Sequence, residues 1–427
     1  MATVTDSLTA HLMRPRRPIE IAVDCILFCM FLVGVSYLIA KAIQVSGHAG
    51  YDFRFIWLAG ESWRRGINPY TAEYYALGKQ LIASGHIPDL WAYPPNWYLP
   101  AVLIAQAELE TASVIWSFAN IGMVLAASAL LTAAIPLQRF ENAPRNWAFD
   151  TVRQHMDARL NVFFLHVCAI AVLQPTALTL SVGQTSILVY FGTSLLVYGL
   201  ARDRQLASVL GLSILLLKPQ IAACVCLALV MSQTHRPLVV NAVALAVAMA
   251  LPAFILAPTA GSDFLVNLTQ YDDMWSASHP QETTGFRYLV WTVSGLDPGN
   301  LMSMVVALLC MAGLTLTLNR EWRATDGVGL VTLAIAVTIA LAPLHFYDMV
   351  LAGILLFFLA QARALDMGIG CLGAALLWRA DDVGKLTGFY DHGTLHFEGT
   401  RLATLGAILI LFAVFQTARR TVPRARP

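Results

Sequence analysis

Apolar runs of about 17 to 25 residues recur along this chain from Ile21 to Gln416, and nothing else constrains its fold as strongly. In lipid no water is available to satisfy backbone N–H and C=O groups, so each run must close its hydrogen bonds within itself as a helix. Of the 427 residues, 58% are hydrophobic and 12% charged, against about 25% charged in a soluble domain. The mean hydropathy is +0.65. A water-soluble fold is excluded, and because the runs are spread along the chain, a lone anchor or signal peptide does not account for them. The expected fold class is an all-α integral membrane protein, a single polytopic membrane domain over residues 1–427.

Twelve spans are expected, near 20–44, 111–135, 160–180, 185–200, 205–217, 220–232, 237–257, 300–318, 327–342, 346–362, 366–378 and 401–418. Those near 205–232 and 366–378 are short enough to merge, break or re-enter, which is tolerated only where the backbone lines a cavity. The basic stretch Met13 to Pro18 resembles a signal n-region, but the run after it is too long and lacks a small-residue cleavage pattern. A retained first helix is expected. The seven cysteines, Cys25, Cys29, Cys168, Cys224, Cys226, Cys310 and Cys371, all lie in apolar runs and read as small hydrophobes. Neither a disulfide framework nor a metal knuckle is indicated.

Orientation follows from the basic residues, because cytoplasmic loops retain Lys and Arg. With the N-terminus inside, 17 of the 27 basic residues fall on the inner side. Both termini, 1–19 and 419–427, are then cytoplasmic, and three long loops, 45–110, 258–299 and 379–400, share the outer face. Loops held by a rigid scaffold are where function concentrates. Within the first loop, Phe53 to Trp63 is amphipathic and aromatic and 94–107 is apolar but short, so both are expected to lie along the interface. The polar, basic linker 136–159 suits an anionic inner leaflet.

Asp52 follows the first helix at that outer boundary, where partial desolvation raises a carboxylate's pKa toward that of a useful general base; the alternative is a solvated loop residue or helix cap. Tyr93-Pro94-Pro95 makes an extended, aromatic stretch suited to an interfacial belt or to a sugar face. Short outer turns add polar groups: Gly183-Gln184-Thr185, Lys218-Pro219-Gln220 and Pro343 to Asp348. Lys218, a lone cation between apolar runs, is placed either to bind a phosphate or to snorkel. His345 and Asp348 stand three apart on one helical face, either one orienting the other or both at an ordinary interface. Arg287 is a candidate second phosphate contact or a plain surface arginine, and Asp272-Asp273 reads as a solvated turn. No metal is assigned. The chain has no Gly-rich phosphate loop before Lys-Ser/Thr, no His-Glu-x-x-His helix and no Gly-x-Ser-x-Gly elbow.

Tyr51-Asp52-Phe53, Gly-x-Asn-Pro-Tyr at 66–70, Tyr93-Pro94-Pro95, Gly183-Gln184-Thr185, Lys218-Pro219-Gln220 and the turn from Pro343 to Tyr347 follow the order seen in glycosyltransferase family 87. The chain resembles that family over roughly residues 20–420. Its best-known members are polyprenyl-phosphate-mannose-dependent α-1,2-mannosyltransferases with the C-type (GT-C) membrane fold. The resemblance implies inverting transfer of a sugar from a polyprenyl-phosphate donor to a lipid or glycan acceptor. In that reaction Asp52 is the general base, Lys218, His345 and Arg287 surround the donor phosphate, and Tyr51, Tyr93, Gln184, Gln220 and Asp348 are candidate substrate-binding residues. No cofactor and no nucleic-acid partner are expected. The stretch His279 to Gly285 departs from the family pattern, which touches the acceptor more than the reaction.

Topology points the same way. Nucleotide sugars are cytoplasmic, so an outward-facing site in a cell (inner) membrane has to draw activated sugar from a lipid carrier. A transporter or flippase of a lipid-linked sugar is the alternative, but such proteins carry mid-membrane ionisable residues and internal repeats, whereas here only Asp24 lies well inside a span and no repeat is evident.

Overall fold

The computed structural model describes residues 18–46, 49–83, 85–134, 159–272, 283–318, 320–359, 362–380 and 400–421. Both termini, the linker, most of the third expected loop, Asp273 and the stretch from His279 to Glu282 lie outside the described residues.

The chain begins with α1 (Pro18–Ser46). The first loop is itself folded, as α2 (Tyr51–Arg64), α3 (Ala72–Leu81), a 3-10 turn at Pro95–Trp97 and α4 (Tyr98–Ile104), leading into α5 (Leu109–Ala134). Then come α6 (Arg159–Ala171), α7 (Gln174–Val182), α8 (Ser186–Ala201), α9 (Gln205–Leu215), α10 (Pro219–Met231) and α11 (Arg236–Leu256). The second half holds α12 (Ala260–Tyr271), α13 (Phe286–Ser294), α14 (Gly299–Thr317), α15 (Arg320–Thr325) and α16 (Gly327–Leu341). A 3-10 stretch at Phe346–Leu351 follows, then α17 (Ala352–Leu359), α18 (Ala364–Trp378) and α19 (Thr400–Thr421).

Where they are described, the expected apolar runs are helical, but not every helix is long enough to cross a membrane unaided. Among the described residues five helices are long and apolar enough to cross a membrane, α1, α5, α11, α14 and α19, or six if α6 and α7, bent by 62°, make one. The remaining apolar helices run 10 to 17 residues, short of a bilayer's core. Proline placement accounts for several breaks. Pro175 and Pro219 lack the N–H that would continue a preceding helix, and both sit in the first turn of a new one.

α16 is buried from Leu330 to Ala340 and lies in the middle of an aliphatic core shared with α8, α10 and α19. A helix that is apolar all round belongs there. By contrast, Ile26, Val33 and Ile43 of α1, Val240 and Ile255 of α11, and Leu309 and Leu316 of α14 face outward. In water such a surface would be a liability; lipid covers it.

The first loop builds a second core of its own from Phe53, Trp57, Trp63, Tyr74, Trp91 and Trp97, packed on Trp116, Ala253 and Ala257. α2 and α4, expected along the interface, are too short to cross, yet α2 is buried along most of its length within the protein. Gly60 permits this, because a Cβ there would stand 2.1 Å from the Ala101 carbonyl oxygen of α4. Several of the aromatic polar atoms find backbone partners: Trp57 Nε1 donates to Ala107 O at 2.9 Å and Tyr74 OH to Phe55 O at 3.0 Å. Most of these rings are therefore core rather than belt.

Inside the bundle, Asn161 donates to Asp24 at 2.5 Å. Hydropathy passed over a second ionisable group, His166, which is buried in α6 with its ring nitrogens 3.0 Å from Ser128 Oγ and 3.2 Å from Gly353 O.

Gly60 and Gly122 test the loop packing against each other, since nothing lies within 4 Å of a Cβ built at Gly122. Gly60→Ala is expected to cost about 1–3 kcal/mol by overpacking, whereas Gly122→Ala gains up to about 1 kcal/mol of helix propensity. Thermal unfolding of the two variants in detergent should move in opposite directions.

Candidate active site

The site is built where α7 ends. Gly183 adopts a left-handed conformation, φ 72°, and the chain reverses there with Gly183 N donating to Leu180 O at 3.3 Å and Gln184 N to Thr179 O at 3.0 Å. α8 begins three residues after Gly183, at Ser186. Gly50, just before α2, rests on this turn so closely that a Cβ would lie 2.5 Å from the Val182 carbonyl carbon. Trp116 Nε1 holds the same turn from α5, donating to Gly183 O at 3.0 Å. The outcome is that Asp52, in the first turn of α2, meets Gln184, whose Nε2 donates to Asp52 Oδ2 at 3.1 Å.

Gln184 is bonded on every side. Its Nε2 also donates to the Tyr347 hydroxyl at 3.1 Å, and its Oε1 accepts from Tyr93 OH at 2.7 Å, Thr185 N at 2.7 Å and Thr185 Oγ1 at 2.9 Å. Tyr93 is held by ring contacts with Trp91 and Trp97, centroids 4.8 and 5.5 Å away. The two prolines before Asn96 turn the chain so that Asn96 Nδ2 and Trp97 Nε1 donate to Leu216 O and Leu217 O, at 3.2 and 2.8 Å. These are carbonyls a helix end leaves open, and satisfying them ties the Tyr93 stretch to the turn that carries Lys218.

Lys218 is buried and donates to Asp348 Oδ1 at 2.5 Å and to Ser186 Oγ at 3.1 Å. Ser186 in turn donates to the same Asp348 oxygen at 2.5 Å. The ammonium also sits over the Tyr347 ring, 5.1 Å from its centroid, and the other nearby ring is His345, 5.1 Å from Tyr347. The His345 turn is pinned by the middle loop, where Thr284 N donates to Leu344 O at 2.7 Å and Thr283 bridges to His345.

Asp52 is only partly exposed, and its pKa is pushed up to about 7. Desolvation is the main cause; Lys218 opposes it, Asp348 adds to it and the Gln184 hydrogen bond opposes it. Oδ2 is occupied by Gln184, while Oδ1 has no bond among the described residues. A carboxyl group with one oxygen held, the other open and a pKa near neutrality can take a proton from a hydroxyl.

Of the residues singled out from sequence, Asp52, Tyr93, Gln184, Lys218, Asp348 and the His345 turn converge here. Tyr51 does not join them: it stacks on His86 at 4.0 Å, partly exposed. Gln220 lies one helical step past Pro219, and its side chain makes no hydrogen bond among the described residues. Arg287 is engaged elsewhere. Its buried guanidinium donates to Asp297 Oδ1 at 2.8 Å, Asp272 Oδ1 at 2.7 Å and Asn300 Oδ1 at 2.7 Å, joining α13 to the end of α12 and the start of α14. Asp272 is thus half of an ion pair rather than a free turn. Sequence reasoning gave no role to Ser186, which adjoins the Gly183-Gln184-Thr185 motif, or to Tyr347, which lies within the quoted turn from Pro343. A cleft of about 500 Å³ lies on another face of α2, lined by Arg54, Glu61, Arg64, Glu108 and Glu110 among others, and includes none of the cluster. Among the described residues no three His, Cys, Asp or Glu side chains are grouped to hold a metal.

The profile described as glycosyltransferase family 87 matches residues 91–346, more than half of the chain. That stretch contains Tyr93, Gln184, Lys218 and His345, and stops short of Asp52 on one side and Asp348 on the other. No curated protein matches the chain.

The buried pair predicts a non-additive result. Lys218→Met or Asp348→Leu alone strands an uncompensated charge and is expected to cost about 3–5 kcal/mol, whereas the double variant should recover much of that loss. Unfolding of the three variants in detergent checks it.

Proposed function

The chain belongs to glycosyltransferase family 87, and we propose that it transfers a sugar, a hexose such as mannose, from a polyprenyl-phosphate carrier to a hydroxyl of a lipid or glycan acceptor. One observation carries this reading: in a multi-pass, apolar helical bundle of that family, a carboxylate with a pKa of about 7 lies within the field of a buried lysine. A lipid-borne donor reaches such a site from the bilayer, with no need of a soluble nucleotide sugar. The excess of Arg on the expected cytoplasmic side supports a site facing the periplasmic or extracytoplasmic side of a cell membrane.

The geometry supports the following chemistry. The acceptor hydroxyl gives its proton to Asp52 Oδ1 as its oxygen attacks the anomeric carbon. The bond from that carbon to the phosphate oxygen breaks, and the lipid phosphate leaves with the electron pair. A new glycosidic bond forms with inversion, because attack comes from the face opposite the leaving group. Negative charge grows on the phosphate, and Lys218 is the group available to offset it: two of its three ammonium hydrogens are engaged by Asp348 and Ser186, which leaves one for a phosphate oxygen. His345, at the same turn, is the second candidate. The GT-C architecture expected from the resemblance fits loops built on a membrane bundle. Arg287, tied to Asp272, Asp297 and Asn300, has no part in this mechanism.

The test is transfer by the purified protein from radiolabelled polyprenyl-phosphate mannose to a membrane-lipid extract. Asp52→Asn should lower kcat by a factor of about 10² or more, the range for losing a general base. Labelled product at native rates would remove Asp52 from the mechanism, and substrate crossing the bilayer with no new glycosidic bond would point to a transporter. A base must be deprotonated to act, so kcat/KM should rise with pH up to about 7, level off above, and fall about tenfold per unit below.

A further inference from the structure

We propose that Gln184 is a positioning residue, not a substrate contact: its carboxamide, clamped from three sides, holds the Asp52 carboxylate in place as an anion. This rests on the reading of Asp52 as the base.

The orientation of the amide is decided by its neighbours. Thr185 N is a backbone amide and can only donate, so the atom it meets at 2.7 Å has to be the carbonyl oxygen of Gln184. Tyr93 OH and Thr185 Oγ1 donate to the same oxygen. The NH2 group is thereby turned to the other side, where one hydrogen goes to Asp52 Oδ2 and the other to the Tyr347 hydroxyl. Both donor hydrogens and the acceptor oxygen are in use, and the residue is buried. Nothing is left with which to hold a sugar. A flipped amide would set an oxygen against the Asp52 carboxylate and an NH2 against the N–H of Thr185, two repulsions in a desolvated place.

Three anchors on one oxygen also explain why the sequence places Gly-Gln-Thr together. Gly183 makes the turn, Gln184 reaches out from it, and Thr185 bonds its neighbour's side chain with both backbone and hydroxyl. Among the described residues the other charged or titratable groups around Asp52 are Lys218 from the α9–α10 turn and Asp348 from the 3-10 stretch, with the phenols of Tyr93, Tyr347 and Tyr271 and the His345 ring behind them. Lys218 already shares its charge with Asp348. Gln184 is therefore the one neutral group that bonds the Asp52 carboxylate among the described residues.

The experiment measures kcat/KM against pH with the full-length protein, polyprenyl-phosphate mannose and a membrane-lipid extract, for the native chain, Gln184→Met and Gln184→Glu. Methionine keeps the length and removes the donor; glutamate keeps the anchored oxygen and sets a second acid against Asp52. In both, the acidic limb should move up by about one pH unit or more, which is about a tenfold loss below the limb on top of any loss common to all pH. Should both variants fail to fold, Tyr93→Phe, which removes one anchor and leaves the two from Thr185, should shift the limb in the same direction by less. A limb that stays put overturns the proposal, whether the loss appears as a raised acceptor KM, as expected for a substrate contact, or uniformly at all pH, as expected for a scaffold residue. Asp52→Asn separates the two readings. If it is active, the base reading fails; if it is inactive and the limb of the Gln184 variants is unmoved, only the positioning role fails.

Discussion

Lys218 and Asp348 face each other in the interior of an apolar bundle, and the geometry around them follows from the cost of separating them. A lone ammonium or carboxylate buried there would be penalised by several kcal/mol, so each is retained only with the other in reach. Three backbone breaks meet at this pair: the turn leading into α8, whose first residue is Ser186, the turn before α10, which supplies Lys218, and the 3-10 stretch that carries Asp348. Broken helices expose backbone polar groups that apolar surroundings cannot satisfy. At the turn before α10 they are satisfied from outside the bundle, by Asn96 and Trp97 of the first loop. The aromatic core of that loop thus serves as a cap on the helix ends as well as a fold of its own.

Asp52 enters this arrangement as a third charge. Burial drives its pKa up, Asp348 drives it the same way, and Lys218 and Gln184 pull it back; the balance lies at about 7. Had α2 been laid along a membrane surface, its carboxylate would have stayed wet and ordinary. The close approach of Gly50 to Val182 and Gly183 prevents that, because only a residue without a side chain lets the first loop settle so deeply on the end of α7. Backbone proximity, not a charge, places Asp52.

Family membership rests on residues 91–346, which exclude Asp52. Asp52 is nonetheless tied to the matched stretch by the bond from Gln184 and by the field of Lys218, both of which lie within it. The site is thus a junction between the first loop and the bundle, and neither segment contains it alone. Arg287 shows the opposite case. It lies within the matched stretch and carries the charge a phosphate needs, but Asp272, Asp297 and Asn300 occupy it, and its work is to hold the middle loop together.

By itself the sequence determined that the chain is a helical membrane protein, where its apolar helices run, and that its polar residues collect in turns such as 183–185, 218–220 and 343–348. Hydropathy and proline are local properties, and helices bonded within themselves obey local rules. Only the tertiary structure decided that five or six helices are long enough to span, that the first-loop aromatics form a core, that His166 is bonded within the bundle, and that Ser186 and Tyr347 belong with Lys218. It also decided which cation pairs with which carboxylate. Apart from helix length, each of those depends on residues far apart in the chain coming into contact, as Lys218 and Asp348 do across 130 positions, and spacing along a chain has no term for that distance.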